Sequence, residues 1–246
     1  MTSGPTTSPR PGPPSPVAWL VHLFTACGVV LALLALIAVE AERWPLALGW
    51  LFTAFLVDGI DGSLARWARV KERAPRIDGD AMDLVIDYLT YVFVPALFIW
   101  RAGLVPETIA PWLTGTILIS SLYVFVRRDM KTEDNYFRGF PALWNLVAFY
   151  LYVLQLRPLA GAIIVTLLVV ATFAPVHFIH PFRVRDFGRW PQLLVMAWVM
   201  ASLALLYPDW ASPARATLLV ISIATAVALV SLGLLRSLRG DRSSCA

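Results

Sequence analysis

Apolar stretches of bilayer-crossing length recur along the whole of this 246-residue chain, at residues 17–39, 44–65, 82–101, 109–127, 141–156, 160–180, 190–207 and 214–235. A membrane-spanning helix needs about 20 mainly apolar residues. Apolar residues make up 59% of the chain and charged residues 15%, against about 45–50% and about 25% in soluble domains. One small core has no room for so much apolar surface, so most of the solvent must be lipid. Lipid offers the backbone no hydrogen bonds, and the runs satisfy their own only as helices or as a closed barrel. No strand-like alternation persists along them. The expected fold is therefore all-α, a polytopic bundle of about eight transmembrane helices, the fifth and seventh runs being short ones.

The cations sort by side of the membrane. With the N-terminus inside, only Arg43, Arg101, Arg157 and Arg215 of the twenty Lys and Arg residues fall outside. That asymmetry predicts a multi-pass membrane protein with both termini cytoplasmic. Residues 1–16 hold six prolines among Ser, Thr and Gly, a composition that builds no core and predicts a disordered cytoplasmic tail. Residues 17–240 are expected to form a single transmembrane catalytic domain. Cys27 and Cys245 are too few for a disulfide framework, and the net charge of +4 forms no patch that calls for nucleic acid.

The acidic residues are concentrated where the second run ends and the third begins. The chain reads Asp58-Gly59-Ile60-Asp61-Gly62-Ser63-Leu64-Ala65-Arg66 and, after a basic loop, Gly79-Asp80-Ala81-Met82-Asp83-Leu84-Val85-Ile86-Asp87. Residues three or four apart share a helix face, so Asp58 projects with Asp61 and Asp83 with Asp87, both pairs at one membrane face. Ionisable groups at membrane depth are costly and usually functional. Four converging carboxylates call for one or two hard divalent cations, Mg2+ or Mn2+, of the kind that assist displacement at phosphorus. Gly62, Ala65 and Gly79 leave room for a bulky group beside them, and Arg66 offers a forked contact to phosphate or a base edge. Together these residues describe a slot for a metal-bound diphosphate.

The pattern DxxDGxxAR followed by GxxxDxxxD resembles the signature of the CDP-alcohol phosphatidyltransferases. Every signature position is present, although the twelve residues from Trp67 to Asp78 exceed the family's usual eight. The longer loop, together with Asp87–Pro95, Asp134–Pro141 followed by Trp144-Asn145, and His180–Arg185, is similar to the branch that makes phosphatidylcholine. The resemblance implies the family's helical fold and two bound divalent ions, with Asp58, Asp61, Asp83 and Asp87 as ligands. It implies Asp87 as general base, and Asp58, Gly62, Ala65, Arg66 and Gly79 around the cytidine nucleotide. Its substrates would be CDP-diacylglycerol and choline, its products phosphatidylcholine and CMP, and the membrane its lipid partner. Members are often homodimers, although no residue here marks a dimer face.

Choline has no hydrogen-bond donor on its ammonium and is held by aromatic faces. Tyr88 and Tyr91 follow Asp87, and Trp144 lies near the cluster of Tyr136, Phe137 and Tyr150. Tyr88, Tyr91 and Trp144 are the candidate cage. Arg127, Arg183 and Arg185 are candidates for the lipid phosphate. The same chemistry with inositol, glycerol phosphate or serine is the alternative, the last two of which would call for extra cations beside Asp87. An ion-coupled transporter would show inverted repeats and broken helices near the bilayer middle; the sequence shows neither.

Overall fold

The computed structural model describes residues 15–127, 137–174, 177–178, 190–207 and 211–239. Arg183, Arg185, Tyr136, His180 and most of the Pro-rich tail lie outside these residues. The described chain is helical apart from one two-residue ladder, and each of the eight apolar runs contains a helix. Among the described residues, four helical segments are long and apolar enough to cross a membrane. They are α1 (Pro16–Glu40), α2 (Trp44–Ala68), the segment Gly79–Arg101, and the apolar part of α10 (Ser212–Arg239). A four-residue helix, α3 (Val70–Arg73), lies in the loop after α2, where Arg69 (φ 50°) turns the chain out of α2.

The third segment is not one regular helix. It runs as α4 (Gly79–Asp87), a wider π turn (Tyr88–Phe93) and α5 (Val94–Arg101). Pro95 explains the break. Its ring would clash with the carbonyl of Tyr91 and it has no N–H to donate there. Widening the turn lets the Val94 N–H reach back to Leu89 O, and such π segments often sit beside functional residues.

The shorter apolar helices are α6 (Ala110–Val126), α7 (Trp144–Val153), α8 (Pro158–Ala171) and α9 (Trp190–Leu205). The sixth run is shorter than its apolar length suggests. Its helix ends at Ala171, and His177–Phe178 (β2) instead pairs antiparallel with Phe137–Arg138 (β1). Pro175 has no N–H to donate to the Ala171 carbonyl, so the helix cannot extend regularly through this stretch.

Packing follows the small residues. The buried face of α1 includes Ala18, Thr25, Gly28, Ala32, Ala35 and Ala38, and it lies along α2 and α4. Lipid tails are as apolar as leucine, so helices associate in a bilayer through close contact rather than by escape from water, and small side chains permit it. Gly28 shows how close: a Cβ there would come within 2.5 Å of Ile86 Cγ2. The larger core holds Trp144, Phe98, Phe149, Leu48 and Leu51, all nearly inaccessible. Edge-to-face and tilted rings join Tyr91 to Phe55, Phe55 to Trp198, Trp198 to Phe52, and Phe52 to Phe149. That aromatic wall ties the π turn to α2, α7 and α9.

Candidate active site

Two helices supply the acidic residues. Asp58 lies well inside α2, and Asp83 and Asp87 occupy successive turns of α4. The helix start is capped by a different residue, Asp78, whose Oδ1 accepts from the Ala81 N–H at 3.0 Å. Asp80 pairs with Lys71 at 2.6 Å across the loop. That bridge is exposed, and the hydrogen bond and charge of Asp80 hold the Lys71 ammonium above its ordinary pKa. Capping the helix and pairing with the loop thus fall to Asp78 and Asp80, one turn before Asp83.

Asp58, Asp83 and Asp87 each place a carboxylate oxygen within 4.8 Å of the others, all three half-buried. Three hard oxygen donors at that spacing fit a divalent cation of the Mg2+ or Mn2+ type. Tyr91, at the π turn, donates from its phenol to Asp58 Oδ2 at 2.7 Å. Its ring is 7% exposed and packs edge-on against Phe55.

Asp61 takes a different position from the expected foursome. It is 6% exposed. It accepts from the Thr25 hydroxyl of α1 and from the backbone N–H of Gly62, with Asp58 close enough to repel it. Helix geometry explains the divergence: three residues at about 100° each leave Asp61 rotated about 60° from Asp58. That rotation turns it toward α1, while Asp58 faces α4.

The remaining signature residues lie around these carboxylates. Arg66 is exposed and lies over Gly62, its Nη2 donating to Ser63 Oγ at 3.0 Å. Ala65 packs beside the small cluster of Ala18, Val21, Ala68, Val70 and Ala74. Gly79 is the first residue of α4 and faces His22 of α1. The signature lies on α2 and α4, yet His22 and Thr25 of α1 both border it. Two polar residues three apart on one face of an apolar run were the available signal.

The aromatic and basic candidates separate. Tyr88 is half-buried and donates to Leu118 O at 2.9 Å, its ring against Phe125. Trp144 is completely buried in the core, its indole donating to Ser121 Oγ at 2.8 Å and its ring against Phe140. Arg127 stacks over Tyr123, 5.4 Å from the ring centre. Tyr150 joins a polar network with Trp198, Ser202 and Ser222.

Comparison with known proteins agrees with this geometry. Residues 17–230 match the CDP-alcohol phosphatidyltransferase family. A phosphatidylcholine synthase of Pseudomonas aeruginosa is 50% identical over 185 residues, covering 75% of this chain and 78% of its own. One from Bradyrhizobium diazoefficiens is 43% identical over 216 residues, 88% and 80% of the two chains. One from Borreliella burgdorferi is 37% identical over 173 residues, 70% and 74%.

Proposed function

Because the chain belongs to the CDP-alcohol phosphatidyltransferase family, we propose that it transfers the phosphatidyl group of CDP-diacylglycerol to the hydroxyl of choline, giving phosphatidylcholine and CMP. The observation that carries this reading is the meeting of Asp58, Asp83 and Asp87 within 4.8 Å at the junction of two membrane helices. The relatives at 50% and 43% identity, both phosphatidylcholine synthases, support choline as the acceptor.

Asp58, Asp83 and Asp87 hold a divalent ion, and Asp61, one turn beyond Asp58, completes the set for a second. Bound there, Mg2+ or Mn2+ supplies charge neutralisation for the diphosphate and for the departing phosphate. Gly62, Ala65, Arg66 and Gly79, with Asp58, line the cytidine nucleotide. Asp87 accepts the proton of the choline hydroxyl as that oxygen forms its bond to the phosphorus carrying diacylglycerol. The phosphoanhydride bond breaks in the same displacement, and CMP leaves with the bonding pair. Most of the catalysis is positioning and electrostatic preorganisation, as in other transfers at phosphorus.

Tyr88 and Tyr91, one and four residues after Asp87, supply the aromatic faces for the ammonium. Arg127, Arg183 and Arg185 serve the lipid phosphate. The acidic cluster faces the cytoplasm of a bacterial inner membrane, where the cation-rich loops gather and the nucleotide is released.

The test is direct. Purified protein receives CDP-diacylglycerol and labelled choline, with and without Mn2+ or Mg2+. Metal-dependent label in phosphatidylcholine is expected. Label entering lipid only from inositol, serine or glycerol phosphate would replace choline as the acceptor, and no transfer to any of them would overturn the reading.

A further inference from the structure

The signature accounts for the polar side chains of α2 and α4, but one buried polar group of α1 is left over. His22 is 5% exposed. Its Nε2 is buried with no hydrogen-bond partner among the described residues. A polar atom in that state is costly, and more so at membrane depth, where an apolar residue of the same size would serve packing better. Buried polar atoms lacking a protein partner are rare and call for an explanation.

Its neighbours supply one. The ring presses on the start of α4: a Cβ at Gly79 would lie 3.1 Å from His22 Cε1 and 3.6 Å from Nδ1. One turn along α1 on the same face, Thr25 holds Asp61. One turn back, Ala18 belongs to the small cluster against which Ala65 packs. His22 is therefore bracketed by three signature positions, Asp61, Ala65 and Gly79. Ala65 stands four residues beyond Asp61 and Gly79 four residues before Asp83, in each case about 6 Å of helix rise on the side away from the three-Asp cluster. A nucleotide whose diphosphate lies at the carboxylates has its nucleoside at this level.

We propose that His22 is a further ligand-contacting residue of this site, with Nε2 hydrogen-bonding the nucleoside portion of the bound cytidine nucleotide. The inference rests on the reading of the site as a nucleotide-dependent transferase and extends it to a helix that carries none of the signature. The imidazole discriminates for the nucleotide and takes no part in recognising the alcohol.

The test uses the full chain in detergent and CMP with Mn2+ as the probe. His22→Phe keeps a flat aromatic ring, one atom larger, and loses both nitrogens. CMP affinity is expected to fall about tenfold or more, the scale of a buried hydrogen bond lost on one side. The KM for CDP-diacylglycerol rises similarly, and the KM for choline stays put. His22→Gln, whose amide reaches the Nε2 position, restores most of the affinity. His22→Asn, reaching only the Nδ1 position, does not, and it carries the test if the Phe variant fails to fold. Unchanged CMP affinity in the Phe and Asn variants, an equal rise in both KM values, or a Gln variant no better than Phe would overturn the inference while leaving wild-type turnover intact. Wild-type protein that neither binds CMP nor turns over would overturn the transferase reading with it.

Discussion

Tyr91 places its phenolic oxygen 2.7 Å from Asp58 Oδ2 and donates to it. The widened turn forced by Pro95 carries Tyr91, while Asp58 belongs to the facing helix α2, so one hydrogen bond spans the two elements that build the acidic cluster. With 7% of its surface exposed and Phe55 on its ring, Tyr91 is fixed in place. It orients the Asp58 carboxylate from the far side of the site. Partners that orient metal ligands are worth about 10–100-fold in metal affinity or activity. Tyr91→Phe keeps the ring and removes the donor. Turnover is expected to fall within that range, and the Mn2+ concentration for half-maximal activity to rise, with the KM for choline unchanged. A rise in the choline KM alone would mean that the hydroxyl serves the acceptor site and not the Asp58 carboxylate.

The carboxylates themselves are expected to divide by task. Asp58→Asn and Asp83→Asn each remove a charged donor from the cluster and should abolish turnover together with tight Mn2+ binding, read by electron paramagnetic resonance. Asp87→Asn should lower turnover far more than CMP binding. Equal loss of both would mean that Asp87 acts only as a ligand and that another group takes the proton.

Much of this site is legible in the sequence for a simple reason. Asp58, Asp83 and Asp87 sit on helices long enough to be recognised by apolarity alone, and helical periodicity then fixes which side chains share a face. Asp58 can meet Asp83 and Asp87 because the loop from Arg69 to Asp78 returns the chain at the same membrane face. Contacts supplied from elsewhere were not legible. Thr25 and His22 belong to α1, and nothing local states which face of α1 meets α2. Asp61 was grouped with its neighbours because a spacing of three is close to a turn, but the residual rotation is enough to hand it to Thr25. Trp144 illustrates another limit, since an interfacial aromatic and a core aromatic look alike in sequence.

α1 approaches α4 closely at Ile86, the residue next to Asp87. A Cβ at Gly28 would sit 2.5 Å from Ile86 Cγ2, and a β-branched side chain has few rotamers with which to retreat. Gly28→Ala should therefore push α4 outward, lowering turnover severalfold and the thermal midpoint by a few degrees, consistent with an overpacking cost of about 1–3 kcal/mol. Ile86→Ala in the same chain removes the clashing methyl and should restore part of both. A double variant no better than Gly28→Ala would show that the glycine matters for some reason other than this contact.

Trp144 tests whether burial or aromatic character decides its role. It is fully enclosed, its indole N–H donates to Ser121 Oγ at 2.8 Å, and its ring meets Phe140 edge-on at 5.1 Å. A ring so enclosed offers no face to a ligand in this conformation, so its effect on choline should be indirect. Trp144→Phe leaves a smaller ring and an unpaired serine hydroxyl, at a cost of about 1 kcal/mol for the hydrogen bond alone. The thermal midpoint in detergent should drop by a few degrees, with kcat falling in step with the folded fraction and the KM for choline within about twofold of wild type. A choline KM raised tenfold or more with an unchanged midpoint would move Trp144 from the core into the acceptor site, and would mean that the bundle opens around it when choline binds.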